Sequence, residues 1–91
     1  MHLATLRHHD RQKAFSLTAR EREILSLFAA GMGTAALAQR LEISPVTVRN
    51  HAQRILAKLG AHSRLEAVAR AYALGVITPN ILANANMSLP A

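Results

Sequence analysis

The sequence predicts an all-α fold of four short helices, and three observations carry that prediction. Apolar residues recur at three- and four-residue spacing with no strand-like alternation, Ser or Thr and Gly fall where helices would begin and end, and no internal repeat is present. At 91 residues the chain has room for one small domain with a modest core. Its organisation reads as a basic N-terminal arm or linker, expected to be flexible, over residues 1–16, a folded domain over residues 17–78, and a C-terminal tail over residues 79–91.

Each helix has its own start and stop. Thr18-Ala-Arg-Glu21 is a capping box, in which the Thr hydroxyl accepts from the third helical N–H while Glu21 reaches back to the cap. The stripe Ile24, Leu25, Leu27 and Phe28 follows until Gly31, which predicts a first helix over about 19–30. Thr34 is the expected cap of a short second helix that buries Leu37, Ala38 and Leu41. Only three residues later Ser44 is a good N-cap and Pro45 suits the first helical position, so the third helix is expected to run from Pro45 to about Leu59 and stop at Gly60. At 100° per residue Val48, Ala52, Ile55 and Leu59 share one seam, while Val46, Asn50, Gln53 and Ala57 point the other way. Ser63-Arg-Leu-Glu66 is a second capping box and opens a fourth helix up to Leu74-Gly75, with Leu65, Val68, Ala69 and Tyr72 as its expected inner stripe.

Composition narrows the function. The chain has 11 Lys plus Arg against 5 Asp plus Glu, a net charge of +6, which favours an anionic partner, with nucleic acid ahead of a membrane surface. The absence of Cys excludes disulfides, thiolate metal sites and thiol nucleophiles, and suits a cytoplasmic protein. No apolar run approaches the ~18 residues of a membrane span, and the N-terminus lacks the apolar core of a signal peptide. With only Phe15, Phe28 and Tyr72 as aromatics, a base-stacking platform for single strands is not expected. Serines occur without a paired His and acid, carboxylates are scattered and no Gly-rich phosphate loop exists, so no enzyme and no cofactor are expected. His2, His8 and His9 lack the partners of a metal site and read as part of a solvated arm, to which Arg7, Arg11 and Lys13 could add DNA affinity.

A short helix, a tight turn and a longer helix, with Ala38, Ile43 and Val48 at the contact, form a helix-turn-helix whose second helix fits a DNA major groove. Between Ile43 and Leu65 lie Arg49, Arg54, Lys58 and Arg64 and no acid. The blocks LTAREREIL (17–25), Gly31, LAQRLEIS (37–44), TVRNH (47–51), ILAKLG (55–60) and SRLEAV (63–68) together resemble the LuxR/GerE-type helix-turn-helix domain over roughly residues 17–78.

The resemblance implies a four-helix DNA-binding domain of a transcriptional regulator or response regulator, with the third helix in the major groove and the fourth commonly forming a dimer seam. It implies base reading by Arg49, Asn50 and Gln53, and phosphate binding by Ser44, Thr47, Arg54 and Lys58. The apolar, Ala-rich side of the fourth helix places Ala67, Arg70, Ala71 and Leu74 as the implied homodimer interface. Gly33-Thr34-Ala35-Ala36 departs from the family's usual polar Ser-Asn-Lys-Glu run, and Glu42 stands where many helix-turn-helix proteins prefer Gly.

Other readings of these residues are milder. Arg64 reads equally as a phosphate ligand or as a partner of Glu66 or a helix carbonyl. His51 reads equally as a packed histidine bonded to backbone or a phosphate contact. A competing function is a protein-interaction module, akin to sigma-factor region 4, that touches RNA polymerase or another regulator. Larger family members carry a phosphoacceptor or ligand-sensing domain upstream, which 16 residues cannot hold, so the chain reads as a free-standing regulator or a fragment.

Overall fold

A computed structural model describes residues 16–78, and over them the chain is four helices: α1 (Ala19–Ala29), α2 (Thr34–Leu41), α3 (Pro45–Leu59) and α4 (Arg64–Leu74). The arm and tail, with the roles suggested above for their histidines and basic residues, lie outside the described residues. No strand occurs among the described residues, in keeping with the all-α expectation.

The start signals act largely as the sequence foretells. The Thr18 hydroxyl accepts from the Glu21 N–H at 3.0 Å, and the Glu21 carboxylate accepts from the Thr18 N–H at 2.9 Å, completing the capping box of α1. Ser44 accepts from the Thr47 N–H at 3.0 Å with Pro45 in the first turn of α3. Two expectations need correction. Gly33, not Thr34, is the N-cap of α2 and, having no side chain, supplies no capping bond, while the Thr34 hydroxyl accepts from the Arg64 guanidinium. At α4 only half of the capping box forms: Ser63 accepts from the Glu66 N–H, but Glu66 turns to the N–H of His62, one residue upstream.

All four helices close in the same way. Just past each helix an N–H bonds back to the carbonyl five residues earlier: Met32 to Leu27, Ile43 to Ala38, Ala61 to Leu56 and Val76 to Ala71, each near 3 Å. This closure needs one residue in the left-handed region, which Gly31, Gly60 and Gly75 supply, while at α2 it is Glu42, with φ 57° and ψ 43°. A Cβ in that region costs about 1–2 kcal/mol, and Glu has no short polar side chain to offset it. Glu42→Gly is therefore expected to stabilise the domain by about 1 kcal/mol, less the extra freedom glycine gains in the unfolded chain. Thermal unfolding should show a midpoint raised by a few degrees; an unchanged or lower midpoint would mean the turn carries no strain.

The core comprises Leu17, Ile24, Leu25, Phe28, Leu37, Ala38, Val48, Ala52, Ile55, Leu59, Ala67, Ala71 and Ile77. The α3 seam, Val48, Ala52, Ile55 and Leu59, is buried as the wheel requires. It packs against α2 on one side and against α1 and α4 on the other. Leu41 and Ile43 are half-buried at the turn, so α2 and α3 meet at a short, closed corner.

The inner face of α4 differs from expectation. Leu65 is 80% exposed and Tyr72 38%, whereas Ala67 and Ala71 are fully buried. The helix thus presents its smallest residues to α1 and α3, which permits a close approach that Leu or Tyr would block.

Candidate nucleic-acid interface

Burying the α3 seam fixes what the opposite side of that helix shows. Val46, Asn50, Gln53 and Ala57 are exposed along the outer row, with Arg49 and Arg54 exposed on either flank. From Val46 to Gln53 the row covers about 10 Å along the axis, close to the rise of three base pairs. The structure thus brings Arg49, Asn50 and Gln53 onto one open surface. None of the three makes an ion pair or side-chain hydrogen bond among the described residues, so their donors and acceptors are available to a ligand.

At the head of α3 the Ser44 and Thr47 hydroxyl oxygens lie 2.9 Å apart. One of the two hydroxyl protons is spent on that contact, and the other remains able to donate outward. Ser44 is exposed and Thr47 half-buried. The exposed Arg54 lies on the same side of α3, two turns further along.

Lys58 belongs elsewhere. Its ammonium donates to the Glu21 carboxylate at 2.7 Å and to the Ser16 carbonyl at 3.3 Å, and its side chain is only 28% exposed. In the DNA-free chain its positive charge is thus paired with a carboxylate buried in the core. Burial raises the Glu21 carboxyl pKa, but hydrogen bonds from Lys58 and the Thr18 N–H, with the Lys58 charge, more than offset this and hold it below its ordinary value. Arg64 is likewise committed. Its guanidinium lies 4.6 Å from the centre of the Phe28 ring and donates to Thr34, tying α4 to α1 and the start of α2.

On the helix-turn-helix itself the exposed positive charge is Arg49 and Arg54 on α3 and Arg40 on α2, none of which has an ion-pair partner among the described residues; on α1, Arg22 is exposed and donates to the Leu17 carbonyl, and Arg20 pairs with Glu23. Sequence reasoning gave Arg40 no role; it lies in the last turn of α2, ahead of the turn into α3. His51 is half-buried, and its Nδ1 is shut off from solvent without a hydrogen-bond partner, so that atom is not bonded to backbone.

The four residues expected at a dimer seam do not share an open face. Ala67 and Ala71 are at 0% exposure inside the core of a single chain. Arg70 donates to the Leu59 carbonyl at 3.1 Å, capping the end of α3, and lies 3.5 Å from Glu66. A side chain at residue 60 would press on that guanidinium, since a Cβ there would sit 3.0 Å from its Nη1. Leu74 is half-buried against the core. The open side of α4 carries Leu65, Ala69, Tyr72 and Ala73 instead. No helix among the described residues is long and apolar enough to cross a membrane.

Comparison with known proteins agrees with this arrangement. A family model described as "Bacterial regulatory proteins, luxR family" (GerE) matches residues 15–71. A probable transcriptional regulatory protein NarL of Mycobacterium tuberculosis is 47% identical over 55 residues, covering 60% of this chain and 26% of that protein. The transcriptional regulatory protein DesR of Bacillus subtilis is 47% identical over 58 residues, covering 64% of this chain and 29% of that protein. The nitrate/nitrite response regulator protein NarL of Escherichia coli K12 is 45% identical over 51 residues, covering 56% of this chain and 24% of that protein. The chain thus spans about a quarter of the length of the relatives it matches. With the family model covering more than half of the chain and all four helices in their expected order, the chain belongs to the GerE, or luxR, family of bacterial transcriptional regulators and carries its helix-turn-helix DNA-binding domain.

Proposed function

We propose that the chain binds double-stranded DNA sequence-specifically as the output domain of a transcriptional regulator, with α3 in the major groove and two copies joined through the open face of α4. The observation that carries this reading is the outer row of α3. A helix pinned by a fully apolar seam exposes Arg49, Asn50 and Gln53 together, next to Arg54 and the Ser44–Thr47 hydroxyls, with no acid on α3. Arg pairs bidentately with guanine and Asn or Gln with adenine, while the hydroxyls and Arg54 suit phosphate oxygens. Lys58 falls out of the phosphate set, because neutralising a phosphate would require leaving Glu21 buried and unpaired.

Two kinds of variant separate the roles in one binding assay. Arg49→Ala, Asn50→Ala or Gln53→Ala is expected to relax preference at one base position each, by about 1–3 kcal/mol of discrimination, with the salt dependence little changed for the two amides. Arg54→Ala is expected to weaken binding to all sequences alike and to reduce the slope of log affinity against log salt by about 0.9. Titrations of selected and scrambled duplexes at several salt concentrations give both quantities. If all three base-row variants keep the wild-type preference among sites, α3 is not the reader.

A further inference from the structure

Three large apolar side chains are well exposed among the described residues: Val46, Leu65 and Tyr72. Leu65 and Tyr72 share the open face of α4, but Val46 is the one large apolar side chain in the outer row of α3, followed by Asn50 and Gln53. It is 56% exposed, one turn ahead of Asn50 and two turns ahead of Gln53 on the same side of the helix. Its place in the first turn is where a helix in the groove comes nearest the base edges. A β-branched side chain in a helix keeps essentially one rotamer, so its two methyl groups form a fixed apolar surface rather than a mobile one.

From this we propose that Val46 is a specificity residue that recognises the C5-methyl group of a thymine. The major groove displays one apolar group, the thymine methyl, and every other feature that distinguishes the base pairs there is a hydrogen-bond donor or acceptor. The outer row of α3 matches that division: Arg49, Asn50 and Gln53 offer the polar partners and Val46 the apolar one. The Ser44–Thr47 hydroxyl pair at the head of the same turn sits where a backbone phosphate would set the depth of that contact. Val46 then adds discrimination for A·T over G·C at one position without adding charge, so its contribution persists at salt concentrations that strip the Arg54 contact.

The assignment rests on α3 being the DNA reader, and the test lets the two fail separately. Duplexes enriched from a random pool by the wild-type chain serve as the probe, and each thymine in turn is replaced by deoxyuridine, which deletes the methyl and keeps every hydrogen-bonding group. One thymine per half-site is expected to show about a fourfold loss of affinity, the worth of one buried methyl. In Val46→Ser the same replacement is expected to change nothing, while the other thymines behave as in the wild type; circular dichroism of this exposed-site variant reports an intact fold. An enriched site in which no thymine couples to residue 46 overturns the assignment alone. A pool that yields no enriched sequence overturns both the assignment and the reading of α3.

Discussion

Replacing Glu21 with Gln is expected to lower the stability of the domain by about 2 kcal/mol at neutral pH, the order of a hydrogen bond between charged partners that is largely out of water. Gln can still reach back to the Thr18 N–H, so the capping box survives and the loss isolates the charge facing Lys58. The pH dependence follows from the direction of the shift. The folded-state pKa of Glu21 lies below the ordinary value of 4.5, so the stabilisation is fully present above 4.5 and is lost as the pH falls through the folded value. Urea unfolding of wild type and variant from pH 7 downward should therefore show a gap that closes in acid. A gap of constant size would show that Gln fails for reasons of shape rather than charge.

Lys58→Met sharpens the same test. It leaves the Glu21 carboxylate buried with only the Thr18 groups to hold its charge, so burial, which raises the pKa, is opposed by much less. That variant is expected to be weaker than Glu21→Gln at pH 7 and to lose less stability on acidification. Its DNA affinity, measured where it is fully folded, should keep the wild-type salt slope, in contrast to Arg54→Ala.

The Glu21–Lys58 pair also shows where sequence reading reached its limit. The caps and the α3 seam were legible because local spacing and burial coincide there: Ser44, Pro45 and Gly60 bracket a helix whose apolar residues fall in one narrow sector. Lys58 is placed among the phosphate ligands by the family resemblance, and its own helix offers no acid to suggest another partner. The missing signal was in α1, where Glu21 stands in the same i, i+3, i+4, i+7 row as Ile24, Leu25 and Phe28, and a carboxylate in a core stripe calls for a cation from another element. Arg64 escaped for a related reason: its partners, Phe28 and Thr34, are more than 29 residues away in the chain, out of reach of any local pattern. In α4 the pattern itself was ambiguous. Leu65, Val68, Ala69 and Tyr72 make one helical stripe and Ala67, Ala71 and Leu74 another, and only the tight packing against α1 and α3 selects the smaller one.

That selection moves the proposed dimer face to the opposite side of α4 and makes Leu65→Asp the folded variant with the largest expected effect on binding. Leu65, Ala69, Tyr72 and Ala73 leave an apolar strip whose small alanines permit close approach of a second α4. A two-fold axis would set the strip against its own copy, so each residue counts twice and an added Asp brings like charges together across the axis. One helix pair buries less than the ~1,200 Å² of a stable complex, so the dimer is expected to form mainly on DNA carrying two half-sites about one helical turn apart. Losing it there should lower affinity about 10²-fold or more, because the second half-site is no longer bound at high effective concentration. Affinity for a duplex with a single half-site should stay at the wild-type value, since Leu65 is 80% exposed and its replacement leaves the core intact. Ala67→Asp is the contrasting variant: at 0% exposure its carboxylate would enter the core and unfold the domain, abolishing binding to both duplexes. Should Leu65→Asp bind the paired site as tightly as wild type, the open strip is not the seam and α4 serves only to close the core behind α3.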